Sequence, residues 1–166
     1  DRAQHQTIVP RVIGNTEAAK RTKRARSSPT TTDRPSLLAA LADRDPESAN
    51  AAEALLDWGE QHPNGSVRWT KAGDIGFGAG KSVLRVWEEG TVEFKVNTLR
   101  RANPEWDDDE RIEQLLRPLE EIDGVQFNGN RRRWPRTLLA PLADPGARGA
   151  FLGLIDDVVR GLEFES

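Results

Sequence analysis

Three groups of residues in this 166-residue chain have the types and spacing that chemistry could use. The first is Asp74 with Glu93-x-Lys95 nineteen residues further on. Two carboxylates and a lysine in this order outline a PD-(D/E)xK nuclease site. There the carboxylates hold a divalent metal on the scissile phosphate and the lysine helps position the attacking water. Mg2+ is the cofactor this reading calls for; without it, no cofactor is expected. In TVEFKV (91–96), Glu93 and Lys95 share one face of an alternating strand, as that chemistry needs. Any strand with one wet face would show the same pattern. The second group is GFGAGKS (76–82), which imitates a phosphate-binding loop. That template requires glycine where Ile75 stands and a helix after the lysine, but SVLRVW is strand-like, so a hairpin loop is expected. The third is NRRRWPR (130–136). Arg131, Arg132, Arg133 and Arg136 around Trp134 have the means to contact phosphates and stack on a base, a combination found in single-strand binders. The competing reading is a surface loop whose tryptophan plugs the core while its arginines pair with the acidic helix at 107–121.

A further basic run, KRTKRAR, places Lys20, Arg21, Lys23, Arg24 and Arg26 close together. It suits a phosphate backbone, and it equally suits a solvated linker. His5 and His62 stand alone and cysteine is absent, so the chain lacks the makings of a zinc site, a cysteine nucleophile or a Ser/His/Asp triad.

Charge is divided unevenly. Residues 1–34 hold eight Lys/Arg against three Asp/Glu, which leaves sixteen against twenty-four in the remainder, for a net charge of −3 overall. A basic tail on an acidic body points to a linker that meets anions. The lack of cysteine fits a reducing compartment, and the expected location is cytoplasmic. No apolar run approaches the roughly 18 residues of a membrane span, so no membrane partner is expected. Methionine is absent as well, so the chain reads as an excerpt of a longer protein with any catalytic domain upstream.

The elements that must position these groups follow from periodicity. Residues 1–14 carry an apolar run that suits the end of a preceding domain, and 15–35 read as a disordered basic linker. Ser36 is expected to cap a short helix. Asp45-Pro46-Glu47 opens a second that runs to about Gln61 and stops at His62-Pro63-Asn64-Gly65. Ser66–Val96 alternates like an antiparallel meander, with Val92, Phe94 and Val96 on the dry face. The acids at 107–110 start a helix that Pro118 should kink or end. Val125–Phe127 suits a further short strand. Asp144-Pro145 starts the last helix, whose apolar stripe should dock on the sheet.

The segments VRWTKAG (67–73), GTVEFKV (90–96), DDDERIEQLLRPLEEIDGV (107–125), RWPRTLLAPLAD (133–144) and FLGLIDDVV (151–159) also follow one another in a particular order and spacing. Across residues 66–162, a little over half the chain, this resembles the C-terminal accessory module of uncharacterised bacterial nuclease-like and defence-associated proteins. The resemblance implies that nuclease chemistry belongs to a preceding domain, and it carries over no catalytic residue.

The expectation is therefore an α+β domain at 36–166: a small antiparallel sheet built on 66–96 and covered by amphipathic helices, after the end of a preceding domain and a linker at 1–35. Its expected role is a non-catalytic accessory module that engages DNA or RNA for a larger bacterial nuclease-like protein. The upstream catalytic domain or another protein would be its partner. The alternatives are a PD-(D/E)xK nuclease, or an interaction or dimerisation domain anchored by Trp58, Trp106 or Trp134.

Overall fold

A computed structural model describes residues 31–78 and 81–162. The apolar run at 1–14, His5, the basic cluster at 20–26 and most of the expected linker lie outside the described residues.

Two helices open the domain. The first, α1 (Arg34–Arg44), is capped by Asp33, whose side chain accepts from Ser36 N at 2.9 Å, and it buries Leu37 and Leu41. The sequence suggests a cap at Ser36; the earlier carboxylate takes that role and the helix starts three residues sooner. Asp45 then serves both helices. Its backbone N–H closes α1 on Leu41 O, and its carboxylate accepts from Glu47 N and Ser48 N at the start of α2 (Pro46–Gln61). The buried face of α2 carries small residues, Ser48, Ala51, Ala52 and Gly59, beside Leu55 and Leu56. Small residues let a helix approach a sheet closely. A Cβ on Gly59 would stand 2.4 Å from Ile75 Cγ2, so only glycine fits there.

Five strands form one antiparallel sheet in the order β1-β2-β3-β4-β5: Gly65–Trp69, Gly73–Phe77, Lys81–Trp87, Thr91–Phe94 and Arg136–Leu138. The fold is α+β, as composition and periodicity lead one to expect. Strand β2 lies inside what the sequence presents as a glycine-rich turn. Its alternation, with Asp74 and Gly76 against Ile75 and Phe77, is masked because its partners on one face are glycine and a buried acid. Gly76–Ser82 is thus the β2–β3 hairpin, with no helix following Lys81. Gly90, at φ 87°, makes the next turn. The fifth strand is Arg136–Leu138, not 125–127; Asn128 contributes only an isolated bridge to Arg136.

A β-bulge sets which side chains share a face. Leu84 pairs with Ile75, and Ser82 pairs with Gly76, so Val83 is an extra residue on β3. Such an insertion switches the parity of the strand. It puts Ser82 on the same face as Asp74 and Arg85, while Leu84 and Val86 stay on the apolar face.

After β4 the chain turns into α3 (Val96–Ala102), which the strict alternation of TVEFKV does not foretell; Val96 belongs to this helix and the strand stops at Phe94. A 3-10 turn over Pro104–Asp107 leads to α4 (Asp109–Glu120), capped by Asp108. Pro118 does not end this helix, which runs on to Glu120. It sits in the last turn, and Gln114, whose carbonyl it cannot bond, is exposed. A second 3-10 turn (Ala140–Ala143) precedes α5 (Pro145–Gly161), capped by Asp144. Helix α5 packs chiefly on α4 and the 140–143 turn, whereas α2 is the helix laid on the sheet. His62 at the end of α2 meets Asp156 of α5 at 3.0 Å. Among the described residues no helix is long and apolar enough to cross a membrane.

One hydrophobic cluster joins the helices to the inner sheet face through Ile75, Phe77, Leu84, Val86, Val92 and Phe94. Among the described residues the other sheet face carries no such cover.

Candidate functional site

The open face is organised by register. Arg68 on β1 pairs with Asp74 on β2, Asp74 with Arg85 on β3, Arg85 with Glu93 on β4, and Glu93 with Arg136 on β5. A single transverse row therefore alternates in charge across all five strands. Opposite charges at directly paired positions attract, and each carboxylate lies between two guanidinium-bearing positions. That is how Asp74 and Glu93 come to be buried, at 5% and 6% exposure, on a face whose pattern foretells a wet one.

The two carboxylates are held differently. Arg85 grips Asp74 with two parallel bonds, Nε to Oδ1 at 2.7 Å and Nη2 to Oδ2 at 2.9 Å. Lys95 Nζ adds a contact at 3.4 Å, Ser82 Oγ donates at 3.1 Å and Thr70 Oγ1 at 3.3 Å. Burial pushes the Asp74 carboxyl pKa up, but the Arg85 hydrogen bonds and the charges of Lys95 and Arg85 outweigh it and hold the group below its ordinary value. The same bonds push the Arg85 pKa up. Glu93 instead faces Arg136, with Nη2 to Oε2 at 2.8 Å, and accepts from Trp87 Nε1 at 3.1 Å. Arg136 also reaches Glu89 and lies over the Trp87 ring at 4.7 Å, with Arg85 at 5.2 Å from the same ring. The Glu93 half of the row is therefore matched charge for charge.

The Asp74 half is not. It forms the floor of a cleft of about 430 Å³, walled by α3, whose charged lining residues are Arg68, Lys81, Arg85, Lys95 and Arg101 against Asp74 alone. Hydroxyls of Ser66, Thr70, Ser82 and Thr98 fill the spaces between them. Arg68 and Arg101 are exposed, and among the described residues neither has a hydrogen bond or ion pair. Arg101 also borders a second basin, of about 510 Å³, shared with Arg100, Arg132, Arg133, Asn97 and Asp109. There Asp109 is the sole carboxylate and receives Arg100 Nη2 at 2.6 Å and Arg132 Nη1 at 3.1 Å.

Asp74 and Lys95 are brought together. Glu93 is not brought to them: it is on β4, with Arg85 between it and Asp74. Among the described residues no three His, Cys, Asp or Glu side chains gather where a metal could be held. In the arginine loop, Arg131 is clamped by Glu113 (2.9 Å) and Glu120 (2.5 Å) of α4. These bonds lower the Glu113 and Glu120 pKa values and raise that of Arg131. Arg136 is bound into the sheet row. Arg132, Arg133 and Trp134 are left on the surface; Trp134 is 43% exposed with Arg133 stacked 5.9 Å from its ring centre. Trp106 is buried, and Trp58 packs on His62 and Phe77. Lys20, Arg21, Lys23, Arg24 and Arg26 lie outside the described residues. Sequence reasoning missed Arg68, Lys81, Arg85 and Arg101 as a group. The available signal was the shared parity of Ser66, Arg68 and Thr70, which becomes readable once β2 is recognised.

Fold and site together define an α+β domain with a helix-covered antiparallel meander and a cation-lined cleft on its open face. No family model, curated protein or solved structure matches this chain.

Proposed function

We propose that this domain is a non-catalytic module that engages nucleic acid on behalf of a larger, nuclease-like or otherwise DNA- or RNA-acting protein, holding backbone phosphates in the cleft on the open sheet face. One observation carries this reading. A domain whose body is strongly acidic gathers five cationic side chains around a single carboxylate, and two of them, Arg68 and Arg101, have no side-chain partner among the described residues. Cations concentrated in a concave, hydroxyl-lined site, against the net charge of the body around them, suit a polyanion. Asp74 fits as an organiser, since its carboxylate fixes Arg85 and Lys95 before any ligand arrives. The bacterial module that the chain resembles fits the same role. A metal-dependent nuclease is the less favoured reading because the Arg85 guanidinium occupies the interval between Asp74 and Glu93 that a metal would need.

Fluorescence anisotropy of the full chain with labelled DNA and RNA at two salt concentrations tests the proposal. Binding should weaken steeply as salt rises and should weaken further in Arg68→Ser and Arg101→Ser. A variant with Lys20, Arg21, Lys23, Arg24 and Arg26 changed to glutamine separates the tail from the cleft. If that variant alone abolishes binding while the two serine variants bind normally, the cleft is not the site.

A further inference from the structure

We infer that the nucleic acid held by this domain is single-stranded, and that it runs from the sheet cleft over Arg101 into the α3–α4 basin and ends with a base stacked on Trp134. This rests on the function proposed above and adds the substrate class and its path.

Three observations point along the same line. The two basins are neighbours, because Arg101 lines both. Each is built alike, with one carboxylate ordering a pair of cations: Asp74 orders Arg85 and Lys95, and Asp109 orders Arg100 and Arg132. Of the cations beyond those pairs, Arg68, Arg101 and Arg133 make no ion pair among the described residues and are spread along the track. This is the arrangement that follows a flexible backbone from phosphate to phosphate.

The second observation is at the far end. Trp134 is one of two large apolar side chains left exposed among the described residues, and it stands in a run of arginines. One of them, Arg133, already rests over its ring. A tryptophan face beside guanidinium groups is a stacking platform for an unpaired base, whereas the bases of a duplex are stacked on one another and closed to it.

The third is shape. The cations line a concave floor between strands and α3. A narrow single strand can follow such a floor.

The test uses the full chain and labelled oligonucleotides of about 12 nucleotides, within the roughly 4–16 that a single-strand-binding domain covers. Single-stranded DNA, single-stranded RNA and the corresponding DNA duplex are compared at one salt concentration. The expected result is a preference for single strands over duplex of about tenfold. Trp134→Ala should weaken single-strand binding about tenfold without changing its salt dependence, and Trp134→Phe should restore most of the loss. The two single-strand arms identify whether DNA, RNA or both are taken. Trp134 is exposed, so unchanged thermal unfolding confirms that each variant is folded. Duplex bound as tightly as single strand, or Trp134→Ala binding like the unmodified chain, overturns the inference while leaving the phosphate-binding cleft intact. No binding of any nucleic acid by the unmodified chain at low salt overturns the underlying function instead.

Discussion

Arg131 and Arg101 have the same side chain and face opposite fates. Arg131 closes on Glu113 and Glu120 and donates to the Phe127 carbonyl, so its charge is used within the fold. Arg101, on a short helix beside the sheet, has no partner among the described residues. The same contrast separates the two ends of the charge row, where Arg136 is matched by Glu93 and Glu89 while Arg68 has no side-chain partner among the described residues. A count of cations along a sequence therefore does not measure the charge offered to a ligand. What remains free after internal pairing is decided by strand register and by which helix faces which loop.

Asp74 is the position where a substitution should disturb the cleft most. Changing Asp74 to alanine removes a buried carboxylate that fixes Arg85 and Lys95, and should destabilise the domain by about 2–4 kcal/mol, discounted for the partial exposure of its partners. Chemical denaturation measures this. Asp74→Asn should also lower stability, yet it adds one net positive charge to the cleft, so polyanion binding should tighten and its salt dependence steepen. Weaker binding by Asp74→Asn in a folded protein would show that the carboxylate's ordering of the cleft outweighs its charge.

Arg131→Gln is the converse. It should cost about 1–2 kcal/mol, since two charge-assisted pairs and a loop anchor are lost from a partly exposed site. Nucleic-acid affinity should stay within about a factor of two if this arginine belongs to the fold. A large loss of affinity with little loss of stability would reverse the roles assigned to the two regions.

A pH titration sharpens the same distinction. Asp74, Glu113 and Glu120 all have folded pKa values below their ordinary ones. Groups of this kind add stability that is fully present above the unfolded carboxylate value of about 4 and is lost as pH falls through the folded value. Thermal stability should be flat in this respect from pH 7 to about 5 and then decline toward pH 3. Arg131→Gln should flatten part of that decline. An identical acid profile in the variant would mean that the Glu113 and Glu120 pairs contribute nothing to it.

Much of this architecture is legible in the residues. Asp45-Pro46 and Asp144-Pro145 announce their helices because a cap and a proline at the first turn are local signals. The alternation at 91–94 announces β4 for the same reason. Strand β2 is not legible, because two of its five residues are glycine and Asp74 is a buried charge satisfied only by side chains from other strands and turns. Helix α3 hides because Val96 continues the alternation of the strand before it. The site inherits both gaps: without β2 there is no row for Arg68 and Arg85, and without α3 no wall carrying Arg101. The alternation of TVEFKV puts Glu93 and Lys95 on one face, but β3 lies between Asp74 and Glu93, and spacing in sequence cannot reveal an intervening strand.

The central claim is that phosphate contacts are made in the cleft by cations that the fold leaves free. The slope of log affinity against log salt, measured with a single-stranded oligonucleotide, tests it most directly. Each lost phosphate contact should reduce that slope by about 0.7. Arg68→Ser and Arg101→Ser should each show this reduction, together they should show about twice it, and Arg131→Gln should match the unmodified chain. Slopes unchanged in the cleft variants, or reduced in Arg131→Gln instead, would contradict the account.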